Sequence, residues 1–194
     1  QKTGRPLVDS LIAALQVITN DTLKARIYNR IFNELTFINA DEAMHYASRG
    51  LQFVKEMKWQ KGISVFQNNI GRIYSDRGNY DSAIYYFNTS IATDKKLGEK
   101  RNMASTYNNM GVAAQNIRSD FTAAADYYFK ALQLAEEVKD SILIPTFLIN
   151  ISGIYNLQKN FEKALAFSGK ALLLYDKTGN ADGMAVTFDN FGNI

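Results

Sequence analysis

The chain repeats itself every 40 or 41 residues, and that period decides most of what it can become. Asparagine recurs at Asn29, Asn69, Asn109, Asn150 and Asn190, at intervals of 40, 40, 41 and 40. Alanine recurs at Ala43, Ala83, Ala124 and Ala164, at intervals of 40, 41 and 40. Two residue types in one register mark a single structural unit copied along the chain. A unit of this size cannot bury its own apolar face, so neighbouring copies must share a core. The one-residue shift enters between Asn109 and Ala124, which places an extra residue in the turn around Asn116–Asp120.

Within a copy the pattern is helix, tight turn, helix. Residues 64–97 show it best: one amphipathic run passes through Asn69, Ile70, Gly71 and Tyr74, and a second through Ala83, Phe87 and Ser90. Between them, Asp76-Arg77-Gly78-Asn79 supplies turn chemistry, with Gly78 suited to a left-handed helix end. Gly71, Ala83 and Ser90 let the two backbones approach, and Tyr74, Tyr80 and Phe87 are expected to fill the surrounding space. The third copy offers Gly111, Ala124 and Ala131 with Phe121 and Tyr128; the fourth offers Ser152, Ala164 and Ala171 with Tyr155 and Phe161. A last copy begins with Phe188, Asn190 and Gly192. The first diverges, with Ile31 at a small-residue position and Glu34 at an aromatic one, yet residues 41–58 keep Ala43, Ala47 and Gly50.

Ahead of the repeats, residues 1–6 read as a lead-in. Leu7, Leu11, Ile12, Leu15 and Ile18 then predict an amphipathic helix to about Thr19 that covers the first hairpin. Asn20-Asp21-Thr22 supplies N-cap chemistry for the next helix. Pro145 predicts a delayed start or a kink in the fourth copy's first helix.

Composition narrows the function classes. Hydrophobic residues make up 46% and charged residues 21%, which is globular, and only two prolines and no alternating runs favour an all-α chain. A net charge of +3 with scattered Lys and Arg argues against nucleic acid as a partner. Zero cysteines exclude disulfides, thiolate nucleophiles and cysteine metal sites. No apolar run approaches the ~20 residues needed to span a bilayer, so no membrane contact is expected of this segment. Asp41-Glu42 and Glu136-Glu137 are adjacent on their helices and point apart, so neither forms an acid/base pair. No phosphate loop, nucleophile elbow or zinc helix is present, and no catalytic, cofactor or metal residue is assigned.

The small-residue contacts, the aromatic fillers and the repeat together resemble the tetratricopeptide repeat (TPR) family. That resemblance implies an all-α fold, a right-handed superhelical solenoid of antiparallel helix hairpins. It divides the chain into a lead-in and capping helix over 1–19, then a solenoid over 20–194 of about four repeats and a truncated fifth. A TPR unit has ~34 residues; the excess here falls in Lys95-Lys96-Leu97-Gly98-Glu99, Glu137-Val138-Lys139-Asp140 and Asp176-Lys177-Thr178-Gly179-Asn180. Extending each helix by about one turn would absorb it. This extended variety is similar to repeats in bacterial sensor histidine kinases, some transcription regulators and peptide-responsive phosphatase regulators. The opening LVDSLIAALQVITNDTLKARIYNRIFNEL, residues 7–35, looks like the start of the extracytoplasmic TPR region of such kinases.

The resemblance also implies a concave groove lined by the first helix of each hairpin. The second copy would present Val65, Asn68, Asn69, Arg72, Ser75 and Asp76, and the third Ser105, Asn108, Asn109, Val112, Gln115 and Asn116. The fourth would present Thr146, Ile149, Asn150, Gly153, Asn156 and Leu157. The asparagines can hydrogen-bond a ligand backbone, bridge neighbouring helices, or do both together. Arg72 is the one strong cation among these positions, and Asp76, one turn away, offsets it, which disfavours a carboxylate clamp. In the doublets Tyr85-Tyr86 and Tyr127-Tyr128, one member is expected in the core and one on the convex surface. His45 is expected in solvent.

The expectation is a non-catalytic module that binds a protein or peptide and belongs to a two-component signalling protein outside the inner membrane. A cytoplasmic adaptor and the ligand-sensing arm of a transcription regulator are the alternatives. Both ends read as cut, and apolar surface near Phe188–Ile194 is expected to promote self-association.

Overall fold

The computed structural model describes residues 4–192 and 194. Among these the chain forms ten helices and no strand. They are α1 (Arg5–Val17), α2 (Asp21–Leu35), α3 (Ala40–Glu56), α4 (Gln60–Asp76), α5 (Tyr80–Leu97), α6 (Lys100–Arg118), α7 (Phe121–Glu137), α8 (Leu143–Leu157), α9 (Phe161–Thr178) and α10 (Ala181–Gly192). The helices group into two compact units, Gln1–Gly98 and Glu99–Ile194.

In the first unit, α2 and α3 form one hairpin and α4 and α5 another, with α3 against α4 and α1 against α2. Val8, Ile31, Phe32, Leu35, Ala43, Ala47 and Phe66 are buried together in its core. Arg5 reaches from the start of α1 to Glu42 of α3 at 2.6 Å, which ties the opening helix to the first hairpin. In the second unit, α6 pairs with α7 and α8 with α9; α7 packs on α8, and α10 on α9.

The hairpins repeat because their turn chemistry repeats. The side chains of Asn39, Asn79, Asp120 and Asn160 each accept a backbone N–H in the first turn of the second helix that follows. Such caps satisfy donors that have no partner within the helix. At the far end of each second helix sits a left-handed residue: Lys58, Gly98, Lys139 and Gly179, with φ between 53° and 70°. Gly78, Ser119 and Lys159 do the same between the helices of a hairpin.

Inside each hairpin one position on the first helix meets one on the second. A Cβ built on Gly71 would lie 2.6 Å from the Phe87 ring, and one on Gly111 2.5 Å from the Tyr128 ring. In the fourth copy both positions are serine, and the Ser152 and Ser168 hydroxyls lie 2.7 Å apart. In the first copy the sizes are reversed: Ile31 stands in register with Gly71, and Ala47 with Phe87. Both are fully buried. The divergence of Ile31 is therefore a swap of volumes across one contact.

Three details differ from the expectations. The extra residue of the third copy enters the helix, since α6 runs to Arg118 and leaves a two-residue turn. There the Ser119 amide closes onto the Ala114 carbonyl, five residues back. Phe161 is 47% exposed, and the ring stacked on Tyr155 is Phe167, at 5.5 Å. The helical segment also starts earlier than expected, at Arg5, with Pro6 in the first turn where its missing N–H costs nothing; residues 1–3 of the lead-in lie outside the described residues. Pro145 does delay its helix. α8 begins at Leu143, seven residues before Asn150, whereas α4 and α6 begin nine before Asn69 and Asn109.

Candidate functional site

Within each unit, the face formed by its own first helices holds residues expected there from the sequence. In the first unit, Asn69 Nδ2 donates to Asn29 Oδ1 at 2.6 Å, tying α4 to α2. Asn69 is only 4% exposed, so its amide serves the helix–helix contact rather than the open face. One turn on, the Arg72 guanidinium lies 5.4 Å from the centre of the Phe32 ring. Burial lowers the affinity of Arg72 for its proton, and the charge of Asp76 works against that loss. Ser75 is partly exposed, Asp76 exposed and Asn68 half-buried.

In the second unit the same kind of bridge forms, one residue out of register. Asn150 Nδ2 donates to Asn108 Oδ1 at 2.7 Å, although Asn109 is the residue that aligns with Asn29 and Asn69. Gln115 turns toward α7 and accepts from the Tyr128 hydroxyl at 3.0 Å. Burial pushes the Tyr128 phenol well above its ordinary range. Ser105 donates to the Arg101 carbonyl of its own helix at 3.3 Å. Asn116 is exposed, and Asn109 and Asn156 are half-buried.

A cleft opens on this face of the first unit, between α2 and α4. It has a volume of about 170 Å³ and is lined by Ala25, Arg26, Asn29, Trp59, Gly62, Val65 and Phe66. Apart from the Arg26 and Asn29 heads, its wall is apolar. Gly62 lets the Trp59 wall pack close against α4: Trp59 and Val54 stand where a Cβ would be, at 2.5 and 2.9 Å. The groove expected from the sequence begins at the second copy, so Ala25, Arg26 and Asn29 of the first copy fall outside it. The signal was available, since Ala25 aligns with Val65 and Ser105.

The remaining candidates separate cleanly. Tyr128 is buried while Tyr127 lies half-exposed, stacked on Tyr107 at 6.4 Å. Tyr85 is 64% exposed, while Tyr86 is partly buried, packs against the core and stacks on Tyr74 at 5.5 Å. His45 is exposed and edge-on to Tyr46. Among the described residues no cluster of His, Asp or Glu could hold a metal ion. Nor is any helix among them long and apolar enough to cross a membrane.

Residues 63–137, from the first turn of α4 to the end of α7, match the family model of the tetratricopeptide repeat. This stretch is a run of tetratricopeptide repeats. Solved TPR-like structures extend the likeness over nearly the whole chain. A Rap protein complexed with competence and sporulation factor has a TM-score of 0.79 at 16% identity, over 94% of this chain and 57% of its own. NprR in complex with its cognate peptide NprX has a TM-score of 0.70 at 16% identity, over 95% and 60%. A signal-transduction ATPase with numerous domains from Pyrococcus horikoshii carries a tetratricopeptide repeat sensor. It has a TM-score of 0.76 at 16% identity, over 96% of this chain and 30% of its own. The chain thus spans less than two thirds of each of these proteins. No curated protein matches the chain in sequence. At such identities the likeness establishes the fold.

Proposed function

We propose that the chain is a non-catalytic TPR module that binds a peptide or protein segment along its first-helix face, as the sensory or interaction region of a bacterial signalling protein. The observation that carries this reading is the construction of that face. In each unit a buried or half-buried amide bridge clamps two first helices side by side. Around each bridge lie exposed or partly exposed polar side chains, Ser75 and Asp76 in the first unit and Ser105 and Asn116 in the second. A rigid surface with spare hydrogen-bonding groups suits an extended backbone. NprR, of similar fold, was solved with a cognate peptide, which supports a peptide as the ligand class.

The signalling context of this reading is a sensor histidine kinase whose TPR region lies outside the inner membrane. Alkaline phosphatase fused after Ile194 in the native gene should be active; activity from a β-galactosidase fusion instead would place the module in the cytoplasm. For the binding face, peptides displayed on phage should enrich on the immobilised protein. Calorimetry with enriched peptides should show at least a tenfold loss for Ser75→Trp or Ser105→Trp, while Tyr85→Ala on the outer surface changes nothing. Equal binding by all variants, with unchanged circular dichroism, would move the site off this face.

A further inference from the structure

We propose that the α2–α4 cleft of the first unit is a socket for one large apolar side chain of a bound peptide, and that Arg26 at its rim selects an acidic residue beside that side chain. This inference rests on the peptide-binding reading and names the kind of peptide. Size is the first argument. Small-molecule and cofactor sites occupy ~300–1,000 Å³, whereas this cleft holds about 170 Å³. That space takes a single Leu, Ile, Met or Phe side chain and excludes a cofactor.

Chemistry is the second argument. The cleft wall is Ala25, Trp59, Gly62, Val65 and Phe66, so water inside it would lack partners. The Asn29 carbonyl oxygen, which could have wetted it, already accepts from Asn69 at 2.6 Å. An apolar side chain entering the cleft would therefore displace poorly bound water, which favours binding.

Charge is the third. Arg26 is exposed and forms no ion pair among the described residues, and the same holds for Arg30, one turn along α2. Arg72, beside Phe32 on the same face, has Asp76 to offset it. The rim nearest the cleft is thus the cationic part of this face. A free guanidinium there rewards a carboxylate on the ligand and penalises an ammonium. An acidic segment with one bulky apolar residue is the ligand that meets both demands.

Trp59 lines the cleft and is the sole tryptophan, so its emission reports on the socket directly. The probes are end-blocked Gly-Ser peptides carrying one Leu, Phe or Ala beside one Asp, Lys or Gln, titrated by fluorescence and by calorimetry in parallel. The Leu–Asp and Phe–Asp peptides should bind and shift Trp59 emission to the blue. Replacing the apolar residue by Ala should weaken binding by about tenfold or more, and replacing Asp by Lys by about tenfold. Arg26→Glu, an exposed substitution, should reverse the preference from Asp to Lys. Val65→Phe should fill the socket and abolish the emission shift, with melting temperature confirming the fold.

Calorimetric binding with no change at Trp59 and no effect of Arg26→Glu would overturn this inference and leave the peptide-binding reading standing. No heat from any of these peptides, while phage-enriched peptides bind, would overturn it in the same way. Failure of both peptide sources would remove the two together.

Discussion

At the scale of single residues, what holds a hairpin together is the match between one small side chain and one large one. Gly111 sits under Tyr128, whose ring would be 2.5 Å from any added Cβ. Gly111→Ala gains helix propensity of ~1 kcal/mol, but overpacking of this kind costs about 1–3 kcal/mol. The expected result is a net loss of stability in urea denaturation. In the background of Tyr128→Ala the same change should cost much less, because the two sites share one contact. Asp140 gives a second prediction at this scale. Burial opposes its ionisation, but hydrogen bonds from Arg101 and from the Leu143 and Ile142 amides prevail and hold its carboxyl below the usual range. The unfolded chain therefore takes up this proton first as pH falls below ~4. The contribution of Asp140 is complete above that pH and is lost as pH drops through the lower folded value. Melting temperature should fall less steeply in that acid range for Asp140→Asn than for the parent.

At the scale of elements, the second helices are defined by their ends. Each starts at an Asn or Asp cap and finishes at a left-handed residue, alternately Lys and Gly. A lysine held at φ 53° or 55°, as at Lys139 and Lys58, carries a steric cost of about 1 kcal/mol that glycine avoids. Lys58→Gly and Lys139→Gly should each raise stability by ~0.5–1 kcal/mol, read as a higher urea midpoint with unchanged slope. A decrease would mean that the lysine side chains contribute contacts outweighing the backbone strain. These caps were written in the sequence at the repeat spacing, with Asn39, Asn79, Asp120 and Asn160 in step. They are less conspicuous than the Asn29 series because one member is an aspartate.

At the scale of the whole molecule, large apolar side chains are left exposed, several of them on the last two helices. Val186 and Phe188 of α10 are 55% and 59% exposed, and Leu165 and Leu173 of α9 are 47% and 62% exposed. Surface of this kind on neighbouring helices promotes association. Sedimentation at rising concentration should show a shift from monomer toward larger species, and Val186→Lys with Phe188→Lys should suppress it. A single monomeric species throughout would show that these side chains are too dispersed to act together.

The repeat, the helical class, the hairpin boundaries and the small-residue positions were legible in the sequence, because they follow from local periodicity and from turn residues with fixed backbone demands. Gly78 at φ 72° and the cap at Asn20 are cases where the residue type alone implied the conformation. The fate of polar side chains was not legible. Asn69 and Asn109 hold the same place in the repeat, yet Asn69 bridges α2 and α4 while in the second unit Asn108 makes the bridge to Asn150. An amide can serve a neighbouring helix or a ligand with the same atoms, and only the packing distance between two helices decides between them. The α2–α4 cleft was hidden for the same reason. Ala25 and Gly62 are buried and read as ordinary core positions, and a cavity exists only once Trp59, Val65 and Phe66 have been placed around them.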